Sequence, residues 1–224
     1  MSSDATADAP VLMDADALLF DNDGTLVDSM ASVTRCWSRW AREYDVPVEA
    51  LDRVVLHGRP ATEIIADLVP ATQVAAARER VLELELADAD GSVLLPGTAE
   101  LVAALPARNW AVVTSASGEL ASRRLESVGI APPLVVSSDD IQRGKPDPEP
   151  FLLAAERLGV DPARCIVFED APVGLAAARA AGMRSIAVTT THTAQELDAD
   201  CVTEGLHRVS VETGDRGEFR LSVA

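Results

Sequence analysis

The second half of the chain alternates short apolar runs with segments of helical periodicity. The apolar runs are continuous, which is typical of strands buried on both faces. Gly129 and Gly182 follow two of the helical segments, where helix ends favour glycine. Strand and helix segments that alternate in this way predict a parallel sheet with helices on both faces, which is an α/β fold. The predicted strands are 110–114, 134–136, 165–168 and 185–188, and the predicted helices are 119–128, 149–158 and 173–181.

An earlier apolar run, at 18–20, ends in two carboxylates one residue apart. Asp21 and Asp23 follow the run directly, together with Gly24 and Thr25. This order is typical of a buried strand that leads into a functional loop. Because neighbouring carboxylates repel each other, a fold that brings them together usually supplies a cation or a shared proton. By itself the stretch also fits a strand followed by an acidic turn, so both interpretations stay open at this point.

Polar side chains also follow three later strands. In an open α/β sheet, the loops at the carboxyl ends of the strands converge on one crevice. We therefore expect a single site that combines carboxylates, hydroxyls and one amine. The groups at the four strand ends are Asp21 and Asp23, Thr114 and Ser115, the segment 139–145 with Lys145, and Glu169 with Asp170.

The segment between the first strand and position 96 shows helical patterns only. Helices are predicted at 30–44, 61–69 and 71–88, and a Pro-Gly pair at 96–97 ends the region. We expect a core formed by 1–28 and 95–224 and an all-helical cap domain formed by 29–94. At the end of the chain, 207–211 and 218–223 predict a C-terminal β-hairpin. The acidic segment 1–16 is expected to be frayed.

Composition makes some classes of partner unfavourable. The chain has 224 residues, of which 48% are hydrophobic, and 19 Lys and Arg against 36 Asp and Glu give a net charge of −17. We therefore expect no nucleic-acid or membrane partner. No signal peptide and no run of about 18 apolar residues is recognisable. We expect a cytoplasmic protein, a monomer or small homo-oligomer, in which Cys36, Cys165 and Cys201 are free thiols.

The stretch at 20–29, FDNDGTLVDS, resembles the first motif of the haloacid dehalogenase-like superfamily of phosphohydrolases. Three further stretches resemble the later motifs of that superfamily, in order and at ordinary spacing, so the resemblance covers nearly the whole chain. It implies a Rossmann-like parallel-sheet core. The three stretches are VVTSAS at 112–117, RGKPDP at 143–148 and VFEDAPVG at 167–174.

The resemblance implies catalytic roles for several residues. Asp21 is expected to be the nucleophile that forms an aspartyl-phosphate, and Asp23 to protonate the leaving alkoxide and later to activate water. Lys145 is expected to pair with the nucleophile and the phosphate. A nucleotide-binding P-loop is excluded around Lys145, because the first glycine is missing and proline replaces the usual Ser or Thr. Phosphate binding is expected from Thr114, Ser115, Ala116 and Lys145.

The resemblance also implies Mg²⁺ as cofactor. Asp170 is expected to bind it beside the Asp21 carboxylate and the Asp23 backbone carbonyl, with Glu169 as a direct or water-mediated ligand. Two alternatives stay open for these loops: Ser115 or Ser117 can cap the following helix, and Asp170 can cap the helix that follows it.

The resemblance makes the helical insert a cap over the site. The stretch LHGRPA at 56–61 combines a glycine with ionisable side chains ahead of a helix, and in related capped phosphatases the loop at this place sorts substrates. His57, Gly58 and Arg59 are therefore the candidate specificity residues, although a lone histidine is more often structural. Asp28 and Ser29 are expected at the hinge.

The segment 110–182 resembles most the branch that dephosphorylates small sugar and polyol phosphates, such as glycerol 3-phosphate or 2-deoxyglucose 6-phosphate. We expect a Mg²⁺-dependent phosphatase that acts on a small phosphorylated metabolite. The alternatives are a β-phosphoglucomutase-like phosphomutase, a phosphoglycolate phosphatase, a halide-releasing dehalogenase and a catalytically silent protein that binds a phosphate ligand. Asp23 favours phosphoryl chemistry, because dehalogenase relatives lack this second acid.

Overall fold

The computed structural model describes residues 9–51, 60–106, 108–214 and 217–224. The strands of the described chain are β1 (Val11–Ala15), β2 (Ala17–Phe20), β3 (Val27–Asp28), β4 (Val93–Leu94), β5 (Trp110–Val113), β6 (Val135–Val136), β7 (Cys165–Glu169), β8 (Arg184–Val188), β9 (Cys201–Thr203), β10 (Val209–Thr213) and β11 (Phe219–Val223). Its α-helices are α1 (Met30–Glu43), α2 (Val48–Leu51), α3 (Ala61–Leu68), α4 (Val74–Ala87), α5 (Thr98–Ala103), α6 (Gly118–Ser127), α7 (Glu149–Leu158) and α8 (Pro172–Ala180).

Six strands form the central sheet in the order β6-β5-β2-β7-β8-β9, and every neighbouring pair is parallel. The predicted α/β fold is therefore confirmed. Every residue of β2, β5 and β7 is buried, which explains why the corresponding apolar runs are continuous. β2 lies between β5 and β7, so the carboxyl ends of three strands come together at one edge of the sheet.

Separate hydrophobic clusters cover the two faces of the sheet. On one face Phe20 stacks on Phe168 with ring centroids 4.7 Å apart. On the other face Leu19 and Val167 pack with Phe151 of α7. Neighbouring residues of one strand thus belong to opposite clusters, which is why a hydrophobic residue is needed at each position.

The helices α1 to α4 lie between two short strands, β3 and β4, that pair antiparallel. These helices have their own hydrophobic cluster, in which the buried Trp40 donates a hydrogen bond from Nε1 to the carbonyl of Ala77 at 2.9 Å. The sequence analysis missed β3 and β4, since two-residue strands carry no periodic signal. The division into a core of 1–28 and 95–224 and a cap of 29–94 stays a prediction.

The expectation that 1–16 is frayed is wrong for β1. This strand pairs antiparallel with β11, which also pairs with β10, so the predicted C-terminal hairpin belongs to a three-stranded sheet. Met13 lies opposite Leu221, and both side chains are buried. The partner strand lies about two hundred positions away, so nothing in the local composition of the acidic segment could indicate the pairing.

All three cysteines of the chain are free thiols, and Cys36 and Cys165 are buried. Burial raises the pKa of Cys165 to about 12, which leaves the thiol protonated and unreactive at neutral pH. No helix within the described ranges has the length and apolar character needed to cross a membrane.

Candidate active site

Lys145 is the only lysine in the sequence, and its side chain is 1% exposed. Its Nζ donates hydrogen bonds to Oδ1 of Asp21 and to Oε1 of Glu169, each at 2.6 Å, and to the carbonyl of Val113 at 3.2 Å. Burial opposes the charge of the amine, but the carboxylates of Asp21 and Glu169 outweigh it and raise the pKa of Lys145. Groups from the ends of three neighbouring strands are thus joined through one buried cation.

Asp21 follows the last residue of β2, and its backbone N–H donates to the carbonyl of Phe168 at 2.9 Å. The sheet hydrogen bonding therefore continues to the carboxylate-bearing residue and fixes its position. Burial raises the pKa of Asp21 well above its usual value, against the opposing charge of Lys145. A positive group beyond Lys145 would stabilise its ionised form.

Asp21, Glu169 and Asp170 form a buried acidic cluster whose candidate ligand atoms lie within 4.8 Å of one another. Burial, and next the charge of Glu169, raise the pKa of Asp170 to about 7. One amine does not neutralise three buried carboxylates, and a set of carboxylate oxygens is the donor set of a hard divalent cation. The residues therefore fit the predicted Mg²⁺ by their chemistry.

The acidic cluster depends on two glycines that leave space for its side chains. A Cβ on Gly24 would lie 2.3 Å from Oδ2 of Asp170, and the φ of Gly24 is +95°. A Cβ on Gly174 would lie 1.8 Å from Oε1 of Glu169. The other oxygen of Glu169 accepts from the backbone N–H groups of Asp170 and Ala171, each at 2.9 Å. The start of α8 thus holds the Glu169 carboxylate in place.

The loop after β5 lies beside the acidic cluster. Thr114, Ser115 and Ala116 line a cleft together with Asp21 and Asp23. The Thr114 hydroxyl accepts from the N–H of Ala116 at 3.1 Å. The cap of α6 is Ser117, whose hydroxyl accepts from the N–H of Leu120 at 3.4 Å. Ser117 rather than Ser115 therefore has the capping role that the sequence left open.

Asp23 lies at the same cleft with its carboxylate held by three donors. Its Oδ1 accepts from the Ser29 hydroxyl at 2.6 Å and from Nη1 of Arg124 at 2.9 Å. Its Oδ2 lies 3.3 Å from the donor Nδ2 of Asn22. The Asp23 carboxylate does not belong to the buried acidic cluster, so the two aspartates of the first motif have different surroundings.

The cleft has an empty volume of about 850 Å³, its open mouth included, and lies between the sheet edge and the helical insert. The insert contributes Trp37, Thr62, Arg78 and Glu85 to its walls. His57, Gly58 and Arg59 lie outside the described residues, so their predicted role stays a prediction. The described chain resumes at Pro60, which also lines the cleft.

The sequence analysis missed four polar residues around these groups. Thr191 donates from its hydroxyl to the Asp170 carboxylate, and Nδ1 of His192 lies 3.0 Å from the Asp170 carbonyl. Both residues follow the carboxyl end of β8, so the expectation that loops at strand ends converge on one crevice could have identified them. Arg124 and Glu85 gave no such signal, because a single charged residue within a predicted helix has the pattern of an exposed one.

The haloacid dehalogenase-like hydrolase family matches residues 15–182 of the chain. Hexitol phosphatase A from Escherichia coli is 36% identical over 208 residues, which cover 89% of this chain and 95% of that protein. 2-Deoxyglucose-6-phosphate phosphatase 2 from Saccharomyces cerevisiae is 32% identical over 237 residues, covering 93% of this chain and 95% of the relative.

A solved structure of β-phosphoglucomutase from Clostridium difficile superposes with a TM-score of 0.74 at 22% identity, covering 86% of this chain and 92% of that one. At this identity the likeness concerns the fold alone. The family match, the two relatives and the four strand-end motifs agree, and the chain belongs to the haloacid dehalogenase-like hydrolase family.

Proposed function

We propose that this chain is a Mg²⁺-dependent phosphatase that hydrolyses small sugar or polyol phosphate monoesters through an aspartyl-phosphate intermediate. At the coarser level the chain is a phosphoric monoester hydrolase. The observation that carries the proposal is the position of Lys145, whose Nζ lies 2.6 Å from both Asp21 and Glu169 beside the hydroxyl-bearing loop after β5.

The first chemical step is transfer of the phosphoryl group to Asp21. An oxygen of its carboxylate forms a bond to phosphorus while the bond between phosphorus and the leaving oxygen breaks. Asp23 donates a proton to that oxygen, so the alcohol leaves neutral. In the second step Asp23 takes a proton from water, which attacks phosphorus, releases inorganic phosphate and restores the Asp21 carboxylate.

A carboxylate is a weak nucleophile, so the site must reduce the negative charge of the phosphoryl group. Lys145 supplies one positive charge, and the hydroxyl of Ser115 supplies a hydrogen-bond donor at the start of α6. The N–H of Ala116 donates to the Thr114 hydroxyl in this structure and would exchange that acceptor for a phosphoryl oxygen. When bound by Asp21, Asp170 and the Asp23 carbonyl, with Glu169 direct or through water, Mg²⁺ supplies the remaining charge neutralisation.

The substrate class follows from the cleft and the relatives together. The net charge of −17 repels anionic substrates, so affinity must arise from local positive groups such as Lys145 and Arg78. The relatives named above act on phosphorylated sugars or polyols. Thr62 and Trp37 give the cap side of the cleft both polar and aromatic surfaces, a composition that suits a hydroxylated leaving group.

Phosphate release from a panel of sugar and polyol phosphates and from an aryl phosphate tests the proposal. We expect Mg²⁺-dependent turnover that Asp21→Asn abolishes and a chelator stops. The matched control is Asp90→Asn, which removes a carboxylate whose side chain is 76% exposed and should leave the rates unchanged. Activity of Asp21→Asn near that of the wild type would refute the nucleophile assignment.

The same panel separates the alternatives. A phosphomutase would require a bisphosphate primer and would not release inorganic phosphate steadily, and a phosphoglycolate phosphatase would prefer phosphoglycolate. A catalytically silent protein would bind phosphate ligands without turnover. The cytoplasmic location, and the monomeric or small homo-oligomeric state, stay predictions.

A further inference from the structure

A buried ionic triad joins the helical insert to the catalytic edge of the sheet. Arg124 lies on α6, and its side chain is 3% exposed. Its Nη1 donates to Oδ1 of Asp23 at 2.9 Å, and its Nη2 to Oε1 of Glu85 at 3.3 Å. Glu85 is a buried residue of α4, so one guanidinium connects a cap helix with the carboxylate proposed as acid and base.

Stability alone does not explain why Asp23, Arg124 and Glu85 form a buried ionic triad. Removing charged groups from water is costly, and well-packed hydrophobic residues often stabilise such a position as well or better. Burial raises the pKa of Glu85, although the charge of Arg124 opposes this shift. Exposed ion pairs already connect the same regions: Arg78 with Asp139, and Arg123 with Asp90, each at 3.7 Å. The buried triad therefore calls for a functional explanation.

The geometry of the guanidinium supplies that explanation. Its planar group holds two carboxylates in fixed directions, so the position of Glu85 determines the orientation in which Arg124 meets Asp23. Ser29, next to β3 at the start of the insert, holds the same oxygen of Asp23 at 2.6 Å. Two contacts that involve the insert thus set the direction of the Asp23 carboxylate.

We propose that Arg124 and Glu85 are positioning residues for Asp23, so that the cap helix α4 takes part in orienting the proton donor of the reaction. The role rests on the proposed function, because it concerns the acid that protonates the leaving group. It predicts that loss of either residue impairs proton donation, while phosphoryl transfer from esters with good leaving groups is nearly unaffected.

The test compares kcat/KM for phenyl phosphate and dinitrophenyl phosphate. Neither leaving group carries the hydroxyls of a sugar, and only the phenolate of the first needs a proton to leave readily. For Arg124→Lys and Glu85→Gln we expect a loss of about 10- to 100-fold with phenyl phosphate and less than about threefold with dinitrophenyl phosphate. Because kcat/KM covers the steps up to leaving-group departure, the later role of Asp23 as base does not mask the difference.

Two matched variants serve as controls. Arg123→Lys changes the exposed neighbour of Arg124 on α6, and Glu83→Gln changes an exposed residue of α4 that pairs with Arg80. Neither should change the ratio of the two rates. A third comparison uses Asp23→Asn: adding Arg124→Lys to it should cause no further loss with phenyl phosphate, because residues that act through one group are not additive.

Three results would overturn the positioning role. These are an equal loss with both aryl phosphates, no loss with either, and a raised KM confined to polyol phosphates, which would instead assign Arg124 and Glu85 to substrate binding. Glu85→Gln is nearly isosteric, so it gives the answer even where Arg124→Lys fails to fold. A wild-type protein that hydrolyses neither aryl phosphate would refute the proposed function itself.

Discussion

The amine of Lys145 lies 2.6 Å from Oδ1 of Asp21, although 124 positions separate the two residues in the chain. The contact brings the lysine of the third motif to the proposed nucleophile of the first. It also encloses the amine, since Glu169 and the Val113 carbonyl occupy further sides of Nζ. A lysine in these surroundings stays protonated and cannot act as a nucleophile.

We predict that amine-reactive reagents do not modify Lys145 in the folded protein. The raised pKa keeps the amine charged, and its burial excludes the reagent. Treatment with acetic anhydride followed by mass spectrometry of the peptide that contains Lys145 checks this. The same treatment in denaturant should modify the residue fully. Equal modification under both conditions would show that the amine is accessible.

We expect the metal-free protein to lose stability as pH rises. In the folded state the pKa of Asp170 is about 7, whereas an unfolded aspartate titrates near about 4. Between these values the folded protein binds more protons than the unfolded chain, so the free energy of unfolding falls with increasing pH. Thermal unfolding with a chelator at several pH values measures this trend.

Mg²⁺ is expected to reverse that trend, because a divalent cation favours the ionised carboxylates. The rise in Tm that Mg²⁺ produces should therefore be larger at about pH 8 than at about pH 5. An equal rise in Tm with Mg²⁺ at the two pH values would contradict the assignment of Asp170 as a ligand.

Gly24→Ala should abolish or severely reduce Mg²⁺-dependent activity. The added Cβ would lie 2.3 Å from Oδ2 of Asp170 and would also require a positive φ from alanine. Gly129→Ala is the matched control, since its φ is +76° and its Cβ would meet nothing within 4 Å. Both variants should lose about 1 kcal/mol of stability from backbone strain. Only Gly24→Ala should weaken Mg²⁺ binding, measured by calorimetry; similar Mg²⁺ affinities would contradict the expected clash.

Met13→Ala should destabilise the protein by about 2 kcal/mol, because it removes a core side chain that is 6% exposed. Leu12→Ala, in the same strand, changes a side chain that is 66% exposed and should cost less than about 0.5 kcal/mol. Urea unfolding monitored by circular dichroism gives both values. If both substitutions lowered the free energy of unfolding by the same small amount, Met13 would not be packed in the core as the structure shows.

The strand ends account for much of what could be predicted from sequence. Asp21, Ser115, Lys145 and Asp170 each follow or lie near the end of an apolar run, and a parallel sheet brings such positions to one edge. The periodicity of the apolar residues is a local property of the chain, so it predicted six of the helices and five of the central strands closely. Predicted 149–158, for instance, coincides with α7. The short elements α2, α5 and β9 were not predicted.

Contacts between distant segments could not be predicted in this way. β1 is a strand because β11 pairs with it, and the acidic residues around it suggested a frayed end. Arg124 has the sequence context of an exposed helical residue, yet α4 covers it and Asp23 accepts its hydrogen bond. In both cases the partner comes from elsewhere in the chain.

The sequence by itself determined the strand-end groups of the site, such as Asp21, Lys145 and Asp170, because hydrophobic periodicity and strand ends are properties of neighbouring residues. The tertiary structure alone decided which groups are in contact: Asp21 and Glu169 both accept from Lys145, and Asp23 and Glu85 both accept from Arg124. The physical reason is that burial and Coulomb interactions depend on distance in space. Glu85 and Asp23 lie 39 and 101 positions from Arg124 in the chain, so these residues meet only once the chain has folded.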